Sequence, residues 1–195
     1  AEMLEGRKNQ FTEELKLMGM SAKTAGEDVS DAIDRLVYYA GWCDKYQQLF
    51  STVNPVSSSH FNFSVPEPMG VVSVIAPEQS PLLGLISVIA PVIAGGNTCV
   101  VLASENLPLS AVSFVEVLAT SDLPGGVVNI LTGTSAELHS HFSSHMDVNA
   151  AMYCRNSKAE VKAMQENCAF NVKRFSHWQY NWKTDAAQGP YFINE

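Results

Sequence analysis

Residues 71–102, VVSVIAPEQSPLLGLISVIAPVIAGGNTCVVL, decide the fold. Val71–Ala76 is a short β-branched run, Leu82–Ala94 an apolar stretch of helical length closed by Gly95-Gly96, and Thr98–Leu102 a second buried strand. Downstream the alternation continues. Leu109–Ala119 reads as a helix, and Pro124-Gly125-Gly126 turns the chain into a strand at Val127–Leu131. Ser135–Ser143 is a weaker helix, Ala150–Cys154 a fourth strand and Ser157–Asn167 a further helix. Short apolar strands alternating with helices are the signature of parallel βαβ units, and right-handed crossovers then give an α/β fold with an open, doubly wound parallel sheet.

Upstream, the apolar residues Met3, Leu4, Phe11, Leu15 and Met18 fall mostly on one helical stripe, which predicts a surface helix over Ala1–Met18. Ser30 precedes Ala32-Ile33, Leu36, Val37 and Ala40, which predicts a Ser-capped helix running to Phe50. In the polar stretch Ser51–Glu67, the alternating Phe61, Phe63 and Val65 predict an exposed strand, ended by Pro66 and Pro68. The expected organisation is N-terminal helices over 1–50, an arm and linker over 51–69, a nucleotide-type domain over 70–168, and an irregular segment over 169–195 that reads as a strand start followed by coil. Both ends read as cut, so a fragment lacking a catalytic domain is expected.

The formal net charge of −8 and the scattered basic residues argue against nucleic acid and anionic membrane as partners. Pro81–Ala94, the longest apolar stretch, is too short for a span of about 20 residues. The polar start Ala1–Gln10 does not read as a signal peptide, and Cys43, Cys99, Cys154 and Cys168 lack C-x-x-C spacing, so a cytoplasmic protein with unpaired thiols is expected.

Several motifs occur together and in order: Tyr38-Tyr39-Ala40-Gly41-Trp42-Cys43-Asp44-Lys45, Glu67-Pro68-Met69-Gly70-Val71, Ala94-Gly95-Gly96-Asn97-Thr98, Pro108-Leu109-Ser110-Ala111, and Leu123-Pro124-Gly125-Gly126-Val127-Val128-Asn129. The set resembles the coenzyme-binding half of the NAD(P)-dependent aldehyde dehydrogenase superfamily. It is most similar to the degenerate second repeat of the family-16 type. The resemblance implies a Rossmann-like domain, a β-hairpin arm for subunit pairing around Phe61 and Phe63, and oxidation of aldehydes by a cysteine thiolate, an oxyanion-holding amide, a glutamate base and a dinucleotide.

The positions that would carry this chemistry depart from the family. After the first strand the family has P-W-N-[FY]-P; here Ala76 leads into Pro77-Glu78-Gln79-Ser80-Pro81, and Gln79 stands at the oxyanion Asn. A misplaced donor loses about 3 kcal/mol or more of transition-state stabilisation. After the second strand the family's K-P-[SA]-E reads Leu102-Ala103-Ser104-Glu105. Glu105 either holds a ribose or caps the loop before Leu109. The G-x-G after the third strand is Gly133-Thr134-Ser135, and F-T-G-S is Tyr153-Cys154-Arg155-Asn156-Ser157, with Arg155 where Gly lets the backbone approach the diphosphate. Arg155 either plugs the crevice or binds a smaller anion at the helix N-terminus. Asn156 or Ser157 is the expected N-cap. The base and nucleophile motifs are not found in the sequence.

The candidate cofactor positions are therefore Ala76, Pro77, Ser104, Glu105, Gly133, Arg155 and Asn156, for NAD at a degenerate site if any cofactor at all. His139, His141 and His145 do not make a metal motif, since i, i+2 histidines diverge on a helix. Trp178 and Trp182 are expected to cover a core edge or a partner. Three readings stay open: a pseudoenzyme domain for assembly or regulation, partnered by its own copies or by the catalytic repeat of a larger protein; the cofactor half of an active dehydrogenase; and a small-anion or mononucleotide module.

Overall fold

In the computed structural model, which describes residues 1–184, the chain opens with two short helices, α1 (Glu2–Gly6) and α2 (Lys8–Leu17), where one was expected. The break falls at Arg7, after Gly6, a residue costing a helix interior about 1 kcal/mol relative to Ala. Arg7 turns out to meet Glu116 at 2.6 Å. Both helices still bury the predicted stripe through Leu4, Phe11 and Leu15.

The next helix, α3 (Ala22–Cys43), starts a full two turns before the predicted cap. Ser21 is the cap, its Oγ accepting the Thr24 N–H at 3.1 Å. Ser30 lies inside the helix and donates to the Gly26 carbonyl at 2.8 Å. The reason is visible in packing: Ala25 and Val29 extend the buried stripe of Ala32 and Tyr39 backward. After α3 comes a separate turn of helix, α4 (Tyr46–Phe50).

A two-stranded antiparallel arm follows, β1 (Thr52–Asn54) paired with β2 (Asn62–Ser64) in the register Val53↔Phe63. Alternation predicts only the second strand, because Thr52–Asn54 is too short to show it; the hairpin is what the family resemblance implied. Phe61 and Phe63 are exposed, their ring centroids 5.4 Å apart.

The main sheet is built from β3 (Val71–Ile75), β4 (Thr98–Leu102), β5 (Val128–Leu131), β6 (Ala150–Tyr153) and β7 (Arg174–His177). Its helices are α5 (Leu83–Ala94), α6 (Leu109–Ala119), α7 (Ser135–Ser144) and α8 (Lys158–Phe170). The strand order is β5-β4-β3-β6-β7 and every pairing is parallel. The chain moves outward on one side from β3 and then returns to start again at β6, so the strand order reverses between β3 and β6. Val74, Val101 and Met152 point to one face, packed by α5 and α6 in the larger core; Ile75, Leu102 and Tyr153 belong to a second core with α7 and α8.

The motif residues act here as fold connectors. Asn97 Oδ1 accepts the N–H groups of Met69 and Gly70 at 2.6 and 3.0 Å, joining the entries of β3 and β4. Gly70 has φ +120, and a Cβ there would meet Asn149 Oδ1 at 2.4 Å, so only glycine fits. That same Asn149 oxygen accepts the Val71 N–H.

The sheet continues past Cys168. β7 comes from the segment expected to be a strand start followed by coil, and its bounds were not legible because Arg174–His177 carries a single apolar residue, Phe175. Beyond it Trp178 and Trp182 are buried in the larger core, which is the covering of a core edge that their sequence suggested. The rest of that segment, 185–195, lies outside the described residues. Among the described residues, no helix is long and apolar enough to cross a membrane.

Candidate functional site

In open α/β sheets ligands bind outside the carboxyl ends of the strands where the strand order reverses. In this chain that point lies between Ala76 at the end of β3 and Cys154-Arg155 at the end of β6. A cleft of about 480 Å³ opens there, and its lining includes Pro77, Gln79, Arg155, Asn156, Gln179 and Tyr180.

Arg155 fills the floor of the crevice. Its side chain is 9% exposed. Nε donates to the Ala76 carbonyl at 2.9 Å and Nη2 to the Ala103 carbonyl at 2.7 Å. Nη1 is bound to Glu105 and lies 3.3 Å from Glu78 Oε2. The guanidinium thus joins the ends of β3, β4 and β6, and its three nitrogens are all committed to the protein. This geometry supports the plug over the anion ligand, since each guanidinium nitrogen already has a protein acceptor. Ser157, not Asn156, caps that helix, with Oγ accepting the Glu160 N–H at 3.4 Å; Asn156 is exposed.

Glu78 folds back onto the loop after β4. Its Oε1 accepts from Ser104 Oγ, the Asn106 N–H and Asn106 Nδ2, each at 2.8 Å, and its Oε2 accepts the Glu105 N–H at 3.1 Å. Burial disfavours the charged carboxylate, but the Asn106 N–H, the Ser104 hydroxyl, the Glu105 N–H and Arg155 outweigh it and hold Glu78 below its ordinary range. Ser104 in turn accepts the Leu107 N–H at 3.1 Å.

The Glu105 carboxylate does not cap the loop before Leu109. It accepts the N–H of Ser135, the first residue of α7, and pairs with Arg155. Ser135, standing where the resembling family has its second glycine, donates its hydroxyl to Glu160, which also accepts from Tyr153 at 2.9 Å. Gly133 opens the loop ahead of this cap, with Leu138 Cδ1 3.3 Å from where a Cβ would stand. Leu102, at the family's Lys position, is fully buried in the second core.

Gln79 is exposed at the cleft mouth. Cys154 beside it is buried, and burial pushes its thiol far up, with Arg155 offsetting only part. A thiol held protonated in this way is not a nucleophile. Among the described residues no group of His, Cys, Asp and Glu is placed to hold a metal; His139 Nδ1 lies 2.8 Å from the Ser135 carbonyl.

The residues present do not fit a dinucleotide diphosphate. Where a diphosphate needs bare main chain and N–H donors, this crevice has a guanidinium spanning carbonyls and two carboxylates facing it. Sequence reasoning named Ala76, Ser104, Glu105, Gly133 and Arg155 and the structure brings them to one sheet edge, but it missed Glu78 as the loop's anchor and Glu160 as the base of the Ser135–Tyr153 contacts. Ser157-Lys158-Ala159-Glu160 has capping-box spacing, a signal that marks Glu160. Nothing local marks Glu78, whose partners lie 26 to 28 residues away.

Known proteins share this architecture. The chain is 32% identical over 158 residues to omega-crystallin of Enteroctopus dofleini, covering 81% of this chain and 31% of that protein. It is 32% identical over 152 residues to the putative aldehyde dehydrogenase DhaS of Bacillus subtilis, covering 78% and 30%. Among solved structures, PnpE from Pseudomonas sp. WBC-3 superposes with a TM-score of 0.85 at 27% identity over 91% of this chain and 36% of that one. An NAD+ complex of an aldehyde dehydrogenase from Bacillus cereus superposes with a TM-score of 0.84 at 25% identity, over 90% and 35%. The chain thus spans about a third of the length of the relatives it matches. With the aldehyde dehydrogenase family matched over residues 1–177, the sheet order, the motif asparagines and the sequence agree: this chain belongs to that family and corresponds to its cofactor-binding half.

Proposed function

We propose that this chain is a non-catalytic coenzyme-binding-type domain of the aldehyde dehydrogenase family, serving structure, assembly or regulation and most similar to the degenerate second repeat of the family-16 type. The observation that carries the reading is the Arg155 guanidinium bonded across Ala76, Ala103 and Glu105 at the point where a dinucleotide would meet the sheet. Its partners are then copies of itself or the catalytic repeat of the same larger protein, for which Phe61 and Phe63 on the exposed arm offer apolar contact. Calorimetric titration with NAD and NADP at millimolar concentration tests this. No heat beyond dilution is expected, and micromolar binding of either cofactor overturns it.

A second reading is favoured by the relatives themselves, several of which are named aldehyde dehydrogenases. In it the chain is the cofactor half of an active NAD-dependent enzyme. The reading frame following Glu195 discriminates: a nucleophilic cysteine motif preceded by a glutamate base supports this alternative, and a frame without both supports the non-catalytic domain.

A further inference from the structure

The Arg155 side chain does not close a crevice that would otherwise be receptive to phosphate. The atoms that surround it are the Ala76 carbonyl, the Ala103 carbonyl, a Glu105 carboxylate oxygen and Glu78 Oε2, all of them acceptors. Remove the guanidinium and what remains is a concave set of oxygens bearing two negative charges. Glu78 is the part of this set that no family position implies. It is anchored from behind by Ser104, Asn106 and the Glu105 N–H, which fix its Oε2 toward the guanidinium rather than leaving it free to swing into solvent.

We infer that Glu78 is a second specificity-determining residue of this crevice: together with Glu105 and the two strand-end carbonyls it makes the site cation-receiving, so that diphosphate is excluded by charge as well as by the bulk of Arg155. The inference rests on the reading of Arg155 as a plug. It also changes what a plug removal does. Two carboxylates without a partner repel a diphosphate across a few ångströms of partly buried space, where an interaction between charges is several-fold stronger than in bulk water. Truncating Arg155 alone therefore gives a site for a guanidinium, not for NAD.

The test compares Arg155→Gly with Arg155→Gly/Glu78→Gln, using two small probes of opposite sign, inorganic pyrophosphate and methylguanidinium, followed by NAD. Glutamine keeps the length of Glu78 and the acceptor that holds the Asn106 N–H, and replaces the charged Oε2, which accepts the Glu105 N–H, by an uncharged amide nitrogen. In Arg155→Gly, methylguanidinium is expected to bind and to raise the melting temperature, while pyrophosphate and NAD do not bind. Adding Glu78→Gln is expected to weaken methylguanidinium and strengthen pyrophosphate, each by about tenfold. The crossing of the two probes is the decisive feature, because a substitution that merely loosens the crevice moves both in the same direction. Pyrophosphate or NAD binding Arg155→Gly as tightly as the double variant overturns the role of Glu78 while leaving the plug intact. NAD binding to the unaltered chain at micromolar concentration overturns the plug itself. If the glycine variant does not fold, Arg155→Ala, which opens the same space with less backbone freedom, carries the same comparison.

Discussion

The Nε of Arg155 donates to the carbonyl of Ala76 at 2.9 Å, tying the second residue after β6 to the residue that follows β3. Those strands are neighbours at the one place in the sheet where the order reverses. A crevice used elsewhere for ligands is here an internal joint, and the consequences for stability are measurable.

Arg155→Ala removes the joint and leaves Glu78 and Glu105 facing one another without a cation. Breaking one side of a buried ion pair costs about 3 kcal/mol. Urea unfolding should show that loss, and Arg155→Lys should recover little of it, because a single ammonium cannot reach the Ala76 carbonyl, the Ala103 carbonyl and Glu105 in their separate directions. Full recovery by lysine would mean that charge alone, not the fork geometry, holds the three strand ends.

Acid stability should depend on Glu78. The native carboxyl sits below its ordinary value of 4.5, so it binds a proton less readily than the unfolded one. Its contribution is present above that ordinary value and is lost as pH falls through the lower native one. Asp28 has the opposite sign: burial raises it above 3.8, with the Leu83 N–H and Lys183 offsetting only part. What Asp28 contributes is present below its ordinary value and is lost as pH rises through the native one. In urea unfolding followed from about pH 3 to about pH 7, Glu78→Gln should flatten the acid limb, and Asp28→Asn should gain on the unaltered chain as pH rises. Curves that run parallel for all three proteins would contradict both assignments.

Of the four cysteines only Cys43 is exposed. Burial pushes the Cys99 thiol up to about 12 and raises Cys154 and Cys168 as well. An aromatic disulfide reagent should therefore titrate one thiol in native buffer and all four in denaturant. Cys43→Ser should abolish the native reaction. Rapid native labelling of Cys154 would show a thiolate in the crevice and contradict its protonated state.

Trp182 is buried, and its carbonyl accepts from Arg35 Nη2 at 2.8 Å, so the stretch after β7 is part of the core. Trp182→Ala should cost about 3–5 kcal/mol in chemical denaturation, the range for a large buried aromatic. A loss below 1 kcal/mol, the size expected at the surface, would place the ring outside the core.

The alternation of β-branched runs and helices from Val71 to Cys168 determined the fold class, because parallel strands and their helices must bury apolar faces, and that requirement is written locally as periodicity. Departures at Gln79, Leu102, Ser135 and Arg155 were legible for the same reason, each lying inside a motif of fixed spacing. What Arg155 does was not legible. Plug and anion ligand are the same residue in the same place, and only the positions of the Ala76 and Ala103 carbonyls and of Glu78 and Glu105 distinguish them. Those partners come from separate strand ends, brought together by sheet pairing rather than by neighbourhood in the chain. The bounds of β7 were not legible because its four residues carry one apolar side chain, and Glu78 escaped because it is held by a loop 26 to 28 residues on, a separation that leaves no periodic mark.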